Sequence, residues 1–222
     1  MTRAPVHKTR LTAWALLVGA VAALEYAARL SGSTSSASTR NEVYSYSAFA
    51  GGLVFYGLIF GVVLAIAYER TDFFALRRPG GQPLRTAAGV FVSIYIVEVL
   101  VTLLPIRNPG NEQGLTPAHW EPAHAGAFAA NVVLLVGVAP VVEELTFRGV
   151  GESLLQPFGR WPAIIGIGIA FGLWHGLVQA ELVLVPFGIG LAYLRDRTRS
   201  VIPGMVVHAA FNGLALALSV LA

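Results

Sequence analysis

Seven stretches of nearly unbroken apolar residues run along the chain, at about 11–30, 48–68, 86–106, 124–147, 161–180, 182–194 and 201–221. A helix needs about 20 such residues to cross the hydrocarbon core of a bilayer. The pattern therefore predicts seven transmembrane helices. The sixth has only 13 residues and contains Pro186, so it is expected to be tilted, re-entrant or buried against its neighbours. The first lacks a small-x-small cleavage site downstream and reads as a retained span rather than a signal peptide. Between the spans, 31–38 is rich in Ser, Thr and Gly and reads as an exposed flexible loop. Residues 107–122 are polar, with Pro and Gly, and the segment 149–160 suits an interfacial helix.

Composition agrees with that pattern. Of 222 residues, 55% are hydrophobic and 12% charged, and the mean hydropathy is +0.67. Soluble domains carry about 25% charged residues. The chain reads as one integral membrane domain, residues 1–222, with no internal repeat. Its fold class is all-α, a polytopic membrane helix bundle.

Charge sets the expected orientation. Arg3, Lys8 and Arg10 precede the first span; Arg70, Arg77, Arg78 and Arg85 follow the second; Arg148 and Arg160 follow the fourth; Arg195, Arg197 and Arg199 follow the sixth. The opposite side receives Arg29, Arg40 and Arg107. Basic loops stay in the cytoplasm, so the N-terminus is expected inside, in a cytoplasmic (bacterial inner) membrane. The net charge of +3 is accounted for by those loops, and no nucleic-acid partner is implied. With no cysteine there is no disulfide, thiolate metal site or cysteine nucleophile.

Against this apolar background a few polar side chains stand out. Glu143 and Glu144 close the apolar run 132–142, and Arg148 follows four residues after Glu144, suited to an i,i+4 pair. Adjacent helical positions are about 100° apart, so one glutamate can face a substrate or water while the other is held aside. Alone, that run suits a helix end with a solvated salt bridge equally well. Phe171 and His175 share a face of the fifth span, and His208 and Asn212 share a face of the seventh. Gly168, Gly172 and Gly176 form a ladder that lets another helix approach closely. Pro140 should bend the fourth span beside the carboxylates. Glu25 and Arg29 suit a rim ion pair. Glu98 lies mid-span, where a carboxylate is a functional candidate or a neutral group bonded to a neighbouring helix.

Glu143, Glu144, Arg148, His175, His208 and Asn212 are expected to meet in one cavity. Charges inside a bilayer cost roughly 2.5–3.5 kcal/mol each on insertion scales, so a converging set implies use. Amide hydrolysis needs a base for water, an acid for the leaving nitrogen and donors for the oxyanion. Carboxylate, imidazole and amide groups supply these. One difficulty is depth. At about 1.5 Å per residue, His175 lies deep from the inside face, His208 shallower and Glu143 near the surface, so the spans must tilt or stagger.

The three motifs, Glu-Glu-x-x-x-Arg at 143–148, Phe-x-x-x-His at 171–175 and His-x-x-x-Asn at 208–212, resemble those of the CAAX-protease and bacteriocin-processing (CPBP, or Abi) family of intramembrane proteases. That family is related to type II CAAX prenyl endopeptidases. The stretch 191–200, with Arg195 and Arg199, is also similar, and the resemblance covers about 123–212. It implies an all-helical fold with a polar cavity facing the cytosol, and a membrane-anchored protein or peptide as substrate. By position Glu143 would activate water and His175 would share that role. Glu144 and Arg148 would position the site, His208 and Asn212 would stabilise the oxyanion, and Phe171 would line the cavity. A glutamate mechanism without a cofactor is the first expectation. No His-Glu-x-x-His occurs, but zinc held by Glu143, His175 and His208 is the competing account.

The sequence also admits two other function classes. One is a non-catalytic membrane binder, such as an immunity or scaffold protein of the same fold. The other is an ion-coupled carrier relaying protons through Glu98 and the Glu143 cluster, although the broken-helix repeats expected of carriers are absent from the sequence.

Overall fold

The computed structural model describes residues 7–31, 42–104 and 120–221. All but Ser31 of the expected loop at 31–38, residues 107–119 of the polar segment 107–122, the end of the third span and Arg3, Arg40 and Arg107 lie outside the described residues. Among the described residues there is no strand. The described residues form seven helical segments: α1 (Lys8–Leu30), α2 (Tyr46–Ile66), α3 (Pro83–Thr102), a composite fourth helix, α7 (Arg160–Trp174), α8 (Glu181–Thr198) and α9 (Ile202–Leu221). The fourth spans Pro122–Phe158, 37 residues. It is assembled from α4 (Ala125–Val132), a π-helical turn Val133–Val138, α5 (Ala139–Glu144), a second π turn Leu145–Gly151 and α6 (Glu152–Leu155).

Five of these helices are long and apolar enough to cross a bilayer, namely α1, α2, α3, the composite helix and α9. The protein is an integral membrane helix bundle. The other two passes, α7 and α8, pack against each other as a hairpin. Its closeness comes from glycine. A Cβ at Gly168 or Gly172 would overlap Ile189 or Val185 of α8, and one at Gly188 would lie 2.8 Å from the Gly168 Cα. The third rung of the ladder serves another partner. Gly176, at φ 60°, turns the chain out of α7, and a Cβ there would lie 2.5 Å from the Glu25 Cβ of α1.

Local signals place the helix ends. Ser45 caps α2, its hydroxyl accepting the Ala48 amide, and Pro83 occupies the first turn of α3, where a missing amide costs nothing. α7 ends at Trp174, six residues before the apolar run does. α8 extends beyond its own run, from Glu181 to Thr198, and closes on Arg199 in the left-handed region at φ 59°.

One end of the bundle gathers the arginines. There the Arg10 guanidinium donates to the Ile66 carbonyl, and the Gly80 amide donates to the Thr198 carbonyl at 2.8 Å. The Val201 amide donates to the Ala75 carbonyl, and Ser200 Oγ to the Arg77 carbonyl at 2.6 Å. These bonds tie the start of α1, the end of α2, the start of α3 and the end of α8 together. At the opposite end Arg29 Nε donates to the Gly176 carbonyl at 2.7 Å, so α1 is pinned to the α7–α8 turn.

The core is an aromatic column. Trp14 meets Phe147 edge-on, and Phe147 meets Phe171 and Trp174 in the same manner at 5.3 and 5.4 Å. Such pairs add roughly 0.5–1.5 kcal/mol beyond the area they bury. Trp14 Nε1 donates to the Thr146 carbonyl at 2.9 Å inside the second π turn. The composite helix is thereby gripped by α1 just beside the two glutamates.

Candidate active site

The composite helix delivers both glutamates from its middle, not from its end. The sequence reading placed Glu143 near the surface because the apolar run stops at Phe147. The helix instead continues to Phe158, since the polar residues after Phe147 are buried by neighbouring helices and need no water. Glu143 is 5% exposed, and Glu144 and Arg148 are 0% exposed. This removes the depth difficulty, and the expected interfacial helix at 149–160 is replaced by helix continuous to Phe158. Arg148 pairs with Glu144 as the spacing of four predicts, and both Arg148 and Arg195, counted by charge with the cytoplasmic loops, are buried side chains of helices.

The two glutamates face different partners, as their helical spacing requires. Glu143 Oε1 accepts from the Tyr56 hydroxyl of α2 at 2.7 Å. Its Oε2 lies 3.7 Å from His208 Nε2 and 4.0 Å from His175 Nε2. Glu144 Oε1 accepts from Arg148 Nη1 at 2.9 Å and from His208 Nδ1 at 3.1 Å. Arg148 Nη2 donates to the Gly188 carbonyl at 3.0 Å, and its guanidinium lies over the Phe171 ring at 4.4 Å.

Both imidazoles are oriented by what their Nδ1 atoms touch. His175 Nδ1 is 2.8 Å from the Phe171 carbonyl. A carbonyl only accepts, so Nδ1 carries a proton, and in the neutral form of the ring it is Nε2, facing the cavity, that has the free lone pair. His208 Nδ1 likewise donates to the Glu144 carboxylate, leaving its Nε2 directed at Glu143. Phe171, fully buried, sits edge-on to both rings, 4.7 Å from His175 and 5.8 Å from His208. It spaces the two imidazoles and supports Arg148 with its face.

Asn212 is anchored to a gap made by a proline. In the first π turn the Ala139 amide reaches back five residues to the Leu134 carbonyl. The next carbonyl, Leu135, would take the amide of residue 140 in the same pattern, but residue 140 is proline and has none. Asn212 Nδ2 fills the place at 2.9 Å, leaving its second amide hydrogen unspent there. Pro140 thus acts through a missing donor that binds α9 to the composite helix.

These groups line a cavity of about 170 Å³, bounded also by Leu184 and Phe187 of α8 and by Phe211, Ala215 and Leu216 of α9. Its walls run from Glu143 towards the end of the bundle that holds Leu30 and Leu221. Glu144 and Arg148, both fully buried, pack behind the cavity rather than lining it. All six of the polar residues singled out in the sequence, with Phe171, lie at this cavity or one contact behind it.

Among the described residues no trio of His, Asp or Glu groups takes a metal-holding geometry. The Glu143-to-imidazole separations exceed the ligand–ligand edge of a tetrahedral zinc, about 3.3 Å for bonds near 2.0–2.1 Å. The trio as placed does not fit zinc. Glu98 of α3 is half-buried and is not among the residues lining this cavity.

Several contributors are absent from the motifs. Tyr56 was legible only as a hydroxyl in mid-span, away from the interfaces where tyrosines gather. Phe187, 5.0 Å from the His208 ring, looked like ordinary apolar filling. Gly204 precedes His208 by one turn, and a Cβ there would lie 2.6 Å from Glu144 Oε2. Behind the site a second buried pair continues the face of Glu144 and Arg148: Arg195 Nη1 is 3.3 Å from Glu152 Oε1, and its Nη2 donates to Ser153 Oγ at 2.8 Å.

Residues 125–214 match the family model described as type II CAAX prenyl endopeptidase Rce1-like. That span contains the Pro140 turn, both glutamates, Arg148, both histidines and Asn212. No curated protein and no solved structure matches the chain.

Proposed function

We propose that this chain, which over residues 125–214 belongs to the Rce1-like family of type II CAAX prenyl endopeptidases, is an intramembrane endopeptidase that hydrolyses its substrate with a water activated by Glu143. The observation carrying the reading is the meeting of Glu143 Oε2 with His208 Nε2 and His175 Nε2, at 3.7 and 4.0 Å, at a cavity of water-holding size. Those gaps are too long for direct bonds and suit one bridging water.

The chemistry follows from which atoms are already engaged. Tyr56 occupies Glu143 Oε1, so Oε2 takes the proton from water. His175 Nε2, a bare lone pair, accepts the water's other hydrogen and fixes the direction of attack. The water oxygen bonds to the carbonyl carbon, and the carbonyl oxygen becomes the oxyanion. His208, when protonated at Nε2, donates to that oxyanion, with the second Asn212 amide hydrogen as a further donor. The carbon–nitrogen bond then breaks, and Glu143 returns its proton to the leaving amine. Glu144 and Arg148 act through His208 by holding its Nδ1. No step passes through a metal.

The substrate class that suits this site is a membrane-anchored protein or peptide, presented from within the bilayer. Cells carrying Glu143→Gln should insert the protein normally and accumulate an uncleaved membrane-anchored precursor. General-base removal lowers rates by roughly 10²–10⁴-fold. Undiminished cleavage by Glu143→Gln rejects the assignment. Purified protein that binds the precursor without ever yielding product would instead be the binder of the alternative reading. Metal analysis of active protein before and after chelation decides between the glutamate route and zinc.

A further inference from the structure

A second, larger hollow lies on the flank of the bundle, away from the cavity at Glu143. It occupies about 960 Å³ between α3 and α8. The two helices touch where Gly190 of α8 meets Val90 and Ile94 of α3; a Cβ at Gly190 would lie 3.2 Å from the Val90 side chain. Beside that contact Gly89 opens the floor, with nothing within 4 Å of the position its Cβ would take. The Ser93 hydroxyl is turned away onto the Gly89 carbonyl at 2.8 Å, which leaves a predominantly apolar wall in mid-membrane.

The mouth has the opposite character. Arg85 and Arg197 both line it, and no acidic residue does. Neither arginine has a carboxylate partner among the described residues; the nearest acid in sequence, Asp196, is bonded to Arg160 at 2.8 Å. The Gly80 bond to the Thr198 carbonyl and the left-handed Gly81 packed against the Arg197 carbonyl bring the start of α3 to the end of α8. α3 also begins there without a side-chain cap or an acidic residue in its first turn, so the Leu84 and Arg85 amides add positive potential. Trp161, 55% exposed, and Tyr193 flank the mouth, as aromatic residues do at a membrane interface.

We propose that this groove holds an anionic phospholipid, with its phosphate between Arg85 and Arg197 and one acyl chain along Gly89, Ile94 and Pro186. The mouth belongs to the arginine-rich end, which the distribution of basic residues assigns to the cytoplasm, and that is the leaflet where anionic lipids attract basic segments. An apolar trough with a positive, acid-free mouth matches an anionic lipid in both halves. A zwitterionic lipid would bring its own ammonium group against the arginines.

The test uses the full-length protein in bilayers of equal phosphatidylglycerol and phosphatidylcholine, released for native mass spectrometry. Wild type should retain phosphatidylglycerol over phosphatidylcholine by about thirtyfold, the order expected of two interfacial arginines. Arg85→Gln with Arg197→Gln should bring the ratio near one, while Arg77→Gln with Arg78→Gln at the same end should leave it unchanged. An indifferent wild type, or an equal loss in the second pair, overturns the proposal, as does selective release of the lipid by millimolar inorganic phosphate. A second measurement needs no arginine variant: phosphatidylglycerol with brominated chains should quench fluorescence that Trp161→Phe removes, and brominated phosphatidylcholine should not. Equal quenching by both overturns the proposal. Neither measurement reads cleavage, so the outcome is independent of the endopeptidase reading.

Discussion

Glu144 Oε1 and His208 Nδ1 stand 3.1 Å apart with both side chains almost wholly out of solvent, 0% and 5% exposed. The same oxygen receives Arg148. One carboxylate therefore fixes a histidine from α9 and neutralises an arginine from its own helix, while its neighbour Glu143 is left to face the cavity.

That arrangement separates stability from activity. Glu144→Ala leaves the Arg148 charge buried without its acid, which should cost about 3–5 kcal/mol and lower the melting temperature in detergent. Replacing both, Glu144→Leu with Arg148→Met, should recover most of that loss, because buried pairs exchange for apolar residues at little cost. The double variant should still fail to cleave, since His208 has lost its orienting acceptor. Recovery of cleavage along with stability would show that Glu144 serves the fold alone.

Tyr56→Phe keeps the ring and removes the hydroxyl from Glu143 Oε1. Stability should change by less than about 1.5 kcal/mol, and turnover should fall by about ten- to hundredfold, the scale of one hydrogen bond to a charged group. Single-turnover cleavage compared with melting temperature checks this. Full activity in Tyr56→Phe would mean that the carboxylate needs no support from α2.

Gly204→Ala and Gly213→Ala form a matched pair on α9. At Gly204 the new methyl meets Glu144 Oε2 at 2.6 Å, while at Gly213 the nearest atom is a Val136 methyl at an ordinary 3.5 Å. Gly204→Ala should destabilise by about 1–3 kcal/mol, the usual range for overpacking, and reduce cleavage at least tenfold by displacing the pinned carboxylate. Gly213→Ala should be neutral or stabilising by up to about 1 kcal/mol from helix propensity.

The link between Pro140 and Asn212 predicts a rescue. Asn212→Leu leaves the Leu135 carbonyl without its donor and should cost about 1–3 kcal/mol. Adding Pro140→Ala restores an amide at residue 140 that reaches the same carbonyl along the helix. Melting temperatures should show the double variant close to wild type. If Pro140→Ala gives no relief, the proline gap is not what Asn212 fills.

Much of this molecule was written in the order of its residues. Long apolar runs must be helices in a bilayer, because only a helix satisfies its own backbone there, and seven helical segments follow from that, five of them long and apolar enough to cross. The spacing of four within each motif placed Arg148 against Glu144 and put Phe171 with His175, and His208 with Asn212, on shared faces, since helical geometry is local. Tertiary packing decided the rest. The composite helix runs past Phe147 because Glu152 and Arg195 bury one another, a pairing 43 residues apart in sequence that no local pattern encodes. It decided which glutamate faces the cavity, and it turned Tyr56, Phe187 and Gly204 from apolar-span residues into parts of the site. Distances of a few ångströms across helices fix electrostatics and hydrogen bonding, and those distances are set only when glycine ladders, π turns and aromatic contacts have brought separate passes together.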